Sequence, residues 1–469
     1  MPLADPRDAL IAELTRRLEE TLAQLAAAEK RIADLEARLR QNSRNSSKPP
    51  SSDPPGTERA KSESSERKRG GQPGHEPSRR ELLPPERVDR VEDHWPSTCD
   101  HCHEALPRQL RTEVGEPARH QVAEMPQVRA HVTEHRLHQQ HCDACGHATE
   151  AKLPVEVASG AFGPRLRALV ALLSGRYRLS KRMTREMLGD VLGVELSLGS
   201  VCNVERQVSA ALAAPVEEAR DYVRQQNVVH ADETGWREEK RRAWLWTAVT
   251  ASVTVFTIAR SRGADVSRQM LGDGFSGFVV SDRWNGYNWL ELRQLCWSHL
   301  KRDFEGFVER GGAGGRIGHA LLEQVGEMFH LYHRARDGTL SRQTFRRRMK
   351  PIEQRVVSLL TRAIVCDDNT TSSKALEILK LERYLWTFVD NDDVPPTNNA
   401  AERAIRPAVL WRKGSFGTDS AAGSRFVERI LTAVATLRQQ GRHVLEYLAG
   451  VCDSHAIGGA GESLLPAAG

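Results

Sequence analysis

The sequence predicts a multidomain α/β protein, and three observations carry that prediction. An apolar heptad fills the first 40 positions, two C-x-x-C pairs follow a polar stretch, and beyond Asn227 helical periodicity gives way to short β-branched strands and then to helices again. A length of 469 residues corresponds to several units at roughly 100–200 residues each. A hydrophobic share of 39% beside 28% charged residues supports a core and excludes an integral membrane protein. The uncharged run Ala243–Ala259 is shorter than the ~20 residues of a spanning helix, and its threonines and serines read as two strands joined near residues 250–252. The N-terminal stretch has no apolar signal core and eight cysteines make no disulfide scaffold, so a cytoplasmic location without membrane attachment is expected.

Residues 1–42 are expected to form a coiled coil. Ile11, Leu18, Leu25, Ile32 and Leu39 recur every seventh position, with Leu14, Thr21, Ala28 and Leu35 between them and Glu and Arg along the flanks. Such a seam can pair with a second copy, giving a homo-oligomer, or pack on its own chain. Nine of the 22 prolines lie between Ser43 and Pro96 among Ser, Arg and Glu, so residues 43–92 read as a disordered linker. Arg67, Lys68, Arg69, Arg79 and Arg80 fall within it.

Residues 93–150 form the next unit. Cys99, Cys102, Cys142 and Cys145 can supply four thiolates to a tetrahedral structural Zn²⁺, with His101, His103, His141 and His147 close enough in sequence to replace one. A c-type haem reading of Cys99–His103 would need an exported protein and would leave the second pair unexplained. Residues 151–226 read as helical, and the stretch from Leu179 to Val208 looks like helix, glycine-containing turn, helix, with Ser197 or Ser200 as the second helix's cap. Seven basic residues against two acidic ones lie between Arg165 and Asp190, a local excess equal to the net charge of +5 of the whole chain. Arg165, Arg167, Lys181, Arg182 and Arg185 are therefore candidate DNA contacts. An ordinary helical hairpin with a solvated face fits the same pattern.

From 227 to 410 an α/β unit is expected. Strands are predicted at 228–231, 244–250, 253–258 and 278–281, a helix at 265–271, a further strand at 294–297, and a basic helical insertion at about 304–397. Residues 411–469 read as a helical region from Ser424 to Leu448 followed by a frayed Gly/Ala-rich tail. Asp232 follows the first strand in HADETGW, Asp282 follows the fourth in SDRWNGYN, and Glu402 lies in TNNAAERAIRP. Each has a plain structural explanation, as a turn residue or, for Glu402 three after Asn399, as part of a capping box. Together, three carboxylates on two strand ends and a helix can hold a pair of Mg²⁺ (or Mn²⁺) ions and polarise a phosphodiester. Asn399, Glu402, Arg403 and Arg406 share one helix face, which sets two arginines beside the last acid to grip phosphates.

These phrases, with NSSKPPSSD, GGQPGH, CWSHLKRDF and WRKGSFGTDSAAGS in the same order, make the chain resemble transposases of the insertion-sequence-66 family, within the DDE transposase and retroviral-integrase superfamily. The resemblance implies a ribonuclease-H-like mixed-sheet core with a helical insertion before the final acid. It further implies Asp232, Asp282 and Glu402 as the Mg²⁺-binding catalytic triad, and Cys296, His299 and Arg302 as an active-site flank that does not bind zinc. The implied activity is cleavage of element ends and joining of the freed 3′-hydroxyls to target DNA. The implied setting is the bacterial nucleoid, with small companion proteins of the same element. A zinc-containing DNA-binding regulator and a nuclease of the same fold are the alternatives.

Overall fold

The computed structural model describes residues 6–39, 42, 53, 81–106, 115–154, 157, 160–459 and 461–466. Most of the linker expected at 43–92, including Arg67, Lys68, Arg69, Arg79 and Arg80, lies outside the described residues. The chain divides into two compact units. The larger comprises Met1–Thr57, Val132–Asp190 and Val194–Gly469; the smaller comprises Glu58–His131 and Val191–Gly193. The division runs inside the segment 93–150, so each C-x-x-C pair belongs to its own unit.

In the smaller unit, the Leu83 backbone is held by the Gln121 and Arg119 side chains. A bridge between Thr98 and Ala105 closes a turn around Cys99 and Cys102. That turn is tight: His103 takes a left-handed φ of 60°, and its N–H donates to the Cys99 carbonyl.

The larger unit begins with α1 (Pro6–Leu39), where Ile11, Leu14, Leu18, Leu25, Ile32, Leu35 and Leu39 are all exposed. These heptad side chains are thus not covered by the other described residues. Glu13 pairs with Arg16 and Arg17 one turn on, as helical spacing allows. A short hairpin of β1 (Gln139–His141) and β2 (Ala148–Glu150) surrounds Cys142 and Cys145, with Gly146 at φ 70° in its turn.

Four helices follow: α2 (Pro164–Gly175), α3 (Lys181–Leu192), α4 (Leu198–Ala211) and α5 (Ala213–Arg224). Between α3 and α4, Gly193 supplies φ 64° for the turn, and the Ser197 hydroxyl caps α4 by accepting from the Ser200 N–H at 3.0 Å. Of the two candidate caps it is Ser197 that acts.

The central sheet has five strands in the order β5-β4-β3-β6-β7 and mixes directions. β3 (Val228–Glu238), β4 (Arg241–Val249) and β5 (Thr254–Ala259) form an antiparallel meander. After α6 (Ala264–Leu271) the chain returns as β6 (Phe278–Ser281), which runs parallel to β3, and then as β7 (Arg293–Leu295). The strand expected to stop at Ala231 continues to Glu238, because β4 pairs with it residue for residue and overrides the polar composition. Its hairpin turn, Glu239–Lys240, has φ of 51° and 62°, the left-handed pair that a two-residue connection requires.

The insertion comprises α7 (Trp297–Arg310), α8 (Gly312–Arg336), α9 (Arg342–Ile364), α10 (Asn369–Leu379) and α11 (Thr387–Asp390). Trp297, Phe304, Phe345 and Phe388 make one core with Val280 and Leu295 of the sheet. The insertion is pinned to the sheet edge at β7, where the Gln294 amide accepts from the Phe388 N–H at 2.9 Å and donates to the Leu385 carbonyl at 3.0 Å.

Three helices end the chain: α12 (Asn399–Ser415), α13 (Ala421–Gln439) and α14 (Val444–Ala456). The helical region expected at 424–448 is therefore two helices, broken by Gly441 at φ 70°. α12 and α13 cover one sheet face, with Ile405, Ala408, Val427 and Leu431 against Trp236, Leu245 and Phe256. α13 also seals the open edge of β5. Thr436, Thr432 and Glu428, one per turn, accept from the N–H groups of Thr254, Phe256 and Ile258. The tail is not wholly frayed: Leu464 is fully buried, and its carbonyl accepts from Gln440.

Candidate active site

β3 carries the first acid at the place where its neighbours change. Pairing with β6 ends at His230↔Val280, which leaves the next carbonyl, Ala231 O, without a strand partner on that side. Asn398, at the start of α12, fills the gap by donating from Nδ2 to Ala231 O at 2.7 Å. The same buried residue meets His230 Nδ1 at 3.2 Å through Oδ1 and donates its backbone N–H to Cys296 Sγ at 3.2 Å. Asn398 thereby ties together the strand of Asp232, the start of α7 and the helix of Glu402. The side chain of Asn398 makes no capping bond, and Glu402 is not part of a capping box.

Asp282 stands one residue beyond β6. Its Oδ1 accepts from the Trp284 N–H at 2.9 Å, and its carbonyl accepts from Arg293 at 3.2 Å, so Asp282 has the turn role expected of a strand-end residue. Asp232 senses Asp282 and Glu402: burial first, then the charges of Glu233, Asp282 and Glu402, push its carboxyl well above the usual range. The charges of Asp282 and Glu402 thus both act on Asp232, although among the described residues the three acids do not present ligand atoms within 4.8 Å of one another.

Glu402 sits on the first turn of α12. His299 Nδ1 lies 3.5 Å and Arg302 Nη2 3.6 Å from its Oε1, both from α7. That Oε1 is buried and has no hydrogen bond among the described residues. Cys296, His299 and Glu402 present one ligand-capable atom each, all within 4.8 Å of one another. Burial would lower the His299 pKa, but its hydrogen bond to the buried Cys296 thiol raises it to about 9. Burial pushes the Cys296 thiol up; the bonds from His299 and the Asn398 N–H outweigh it and bring it below its ordinary value.

Glu233, on the opposite face of β3 from Asp232, escaped the reading of the sequence. Arg262 donates to Glu233 Oε1 through Nε at 3.0 Å and Nη2 at 2.7 Å, and the Tyr287 hydroxyl donates to Oε2 at 2.8 Å. Burial, followed by the nearby Asp282 charge, raises its carboxyl to about 7 against the pull of Arg262 and Tyr287. Arg262 also stacks 3.7 Å from the Trp284 ring centroid, and its carbonyl accepts from Trp284 Nε1. Glu233 thus anchors the loop that carries Asp282. Asn398 escaped notice too; the doubled asparagine before Ala400 was its only signal.

The candidate DNA contacts separate into two sets. Arg165 is paired with Glu446 at 2.6 Å, Lys181 with Glu205 at 3.3 Å, and Arg167 is half-buried. Arg182, Arg403 and Arg406 are exposed, as is Arg185, which also lies 3.9 Å from Glu186. Cys99 and Cys142 are each held below the ordinary thiol range. For Cys99 the N–H groups of Cys102 and His101 are the main cause, and for Cys142 those of Ala144 and Cys145.

Comparison with known proteins agrees with this core. Residues 3–81 match a family whose function is unknown. An uncharacterised protein of Sinorhizobium fredii, y4qI, is 24% identical over 235 residues, 44% of this chain and 42% of its own length. A second from the same organism, y4hP, is 23% identical over 394 residues, 75% of this chain and 69% of its own length. The chain thus spans less than half of the first relative. Among the described residues no helix is long and apolar enough to cross a membrane. Residues 159–425, which contain the sheet, the insertion and all three acids, match the family described as Transposase IS66 family, and the chain belongs to it.

Proposed function

We propose that this transposase cuts the ends of an insertion sequence and joins the freed 3′-hydroxyls to target DNA, with Asp232, Asp282 and Glu402 as its catalytic acids. The observation that carries the proposal is the buried Glu402 Oε1 that lacks a hydrogen bond among the described residues, and the charges of Asp282 and Glu402 that raise the Asp232 carboxyl support it. A hard divalent cation relieves both, and an all-carboxylate donor set suits Mg²⁺ or Mn²⁺. Bound there, the metal supplies Lewis-acid charge at the scissile phosphate and a means of orienting the attacking oxygen. The strand order, with three antiparallel strands followed by two parallel ones and an insertion before the last acid, supports a ribonuclease-H-like core.

Two in-line displacements follow. Water attacks the end phosphodiester, breaking its P–O3′ bond and leaving a 3′-hydroxyl; that hydroxyl then attacks a target phosphodiester, releasing a target 3′-hydroxyl. Neither step requires a covalent bond to protein. Arg403 and Arg406, exposed on the helix of Glu402, grip phosphates. His299 and Arg302 hold the Glu402 carboxylate. Asn398 sets the spacing between the first and last acids.

Zinc at Cys99, Cys102, Cys142 and Cys145 is proposed as structural, supported in each pair by a tight turn whose amides favour the thiolate. The exposed heptad of α1 supports self-association, which would hold two DNA ends in one complex. Companion proteins and a nucleoid location complete the proposal. The test is Mg²⁺-dependent joining of labelled end DNA by purified protein. Joined product is expected. Release of cut ends without joining would make the protein a nuclease, and binding without cutting would make it a regulator.

A further inference from the structure

Phe416 ends α12 in a conformation that a phenylalanine adopts rarely. Its φ is +61°, in the left-handed region, and the residue is 72% exposed. The backbone there is firmly held. The Phe416 N–H donates to the Arg412 carbonyl at 2.8 Å. The Thr418 N–H donates to the Arg237 carbonyl and the Glu239 N–H to the Thr418 carbonyl, both at 2.9 Å. Gly417 lies so close to β3 that a Cβ on it would overlap the Arg237 carbonyl. Glycine or asparagine would suit position 416 better, and the exposed ring gains nothing from packing. A bulky residue kept under backbone strain with its ring in solvent points to a contact outside the chain.

Its surroundings define the partner. Arg403, Arg406 and Lys413 form one exposed stripe along α12 from Glu402 to the turn, and none is in an ion pair among the described residues. The β3–β4 hairpin beside the turn adds exposed Arg237, Lys240, Arg241 and Arg242. The three acids nearby in sequence are Asp419, Glu238 and Glu239; Glu238 is buried, and Arg260 engages Glu238 at 2.9 Å and Glu239 at 3.2 Å. A cationic track that begins at a phosphodiester-cutting acid and ends at an exposed aromatic ring matches a nucleic-acid backbone followed by a base.

We infer that Phe416 is a DNA-stacking residue: its ring lies against a base of the end DNA while Arg403, Arg406 and Lys413 hold the intervening backbone. The inference rests on the proposed transposase reading. Phe416 lies fourteen positions after Glu402 along α12, roughly 20 Å at about 1.5 Å per residue. At about 3.4 Å per nucleotide, the stacked base lies about six positions from the phosphate at Glu402.

The test uses full-length protein in Ca²⁺ and linear duplexes carrying a single 2-aminopurine at each of the third to ninth positions from a 3′-hydroxyl end. A covalently closed circle with one 2-aminopurine represents DNA without an end. A fluorescence change centred near the sixth position is expected in the linear duplexes and not in the circle. Phe416→Gly should abolish it and weaken end binding about tenfold, without lowering the melting temperature, because glycine accepts φ +61°. Phe416→Trp should retain it. A position-independent change, an equal change in the circle, or an unaltered signal with Phe416→Gly would overturn the inference. Wild-type protein that binds no duplex at low salt would instead remove the transposase reading itself.

Discussion

Asn398 Nδ2 lies 2.7 Å from the carbonyl oxygen of Ala231, across 167 residues of sequence, and fixes the last acid's helix against the first acid's strand. Replacing Asn398 by alanine leaves that buried carbonyl without its donor. The expected cost is about 1–3 kcal/mol in urea unfolding. Joining activity should fall with it while duplex affinity stays within about twofold, since no phosphate contact is lost. Unchanged joining in a folded Asn398→Ala protein would exclude the positioning role.

Asp232→Asn keeps the size of the side chain and removes its charge. DNA binding should persist and joining should drop by at least ~100-fold, the usual scale for losing an electrostatic group from a reacting centre. Band-shift and strand-transfer assays on one preparation check both. Retained joining would remove Asp232 from the catalytic set.

His299 faces the buried Oε1 of Glu402 at 3.5 Å. Outer partners of metal-binding carboxylates commonly matter by about 10–100-fold. His299→Ala should raise the Mg²⁺ concentration for half-maximal joining by that order, with partial recovery at high Mg²⁺. A reduced rate with an unchanged Mg²⁺ dependence would place His299 elsewhere in the mechanism.

Glu428 is buried against β5, and burial raises its carboxyl above the ordinary 4.5 despite Ile258 N–H, Arg425 and Arg220. Between the unfolded and folded values the native state holds a proton that the unfolded state releases. Stability therefore falls as pH rises through that window, starting near 4.5. Glu428→Gln keeps an oxygen for the Ile258 N–H and should flatten this part of the stability profile in denaturant titrations from acid to neutral pH. An unchanged slope would mean that other groups set it.

Leu18 and Leu25 are both exposed on α1 at successive a positions. Leu18→Asp with Leu25→Asp should convert an oligomer to a monomer in light scattering. A monomeric wild-type chain would refute the assembly.

The sheet and the insertion were legible because each leaves a local signal: β-branched runs and helical periodicity. The three acids, taken singly, read as turn or capping residues, and their catalytic role is an expectation drawn from the three together and from the resemblance. Asp232 misled only about the strand's end, since cross-strand pairing with β4, invisible in a window of neighbours, carries β3 on to Glu238. Asn398, Glu233 and the Glu428–Thr432–Thr436 edge seal were illegible for the same reason. Their partners are 29 to 182 residues away, and nothing in their own neighbourhoods says so. Among the cationic candidates, charge density marked a region, while the fold decided that Arg165 and Lys181 answer acids and that Arg403 and Arg406 face outward.

The insertion's attachment to β7 has a consequence for the order of synthesis. A growing chain that has emerged through Asp282 holds two acids and most of the sheet, yet lacks Asn398, Glu402 and the α13 residues that close β5. On the proposed reading, the active centre is completed only after Phe388 has docked on Gln294 and α12 has been made. A polypeptide that stops anywhere in the insertion lacks Asn398 and Glu402 and is expected not to cut DNA.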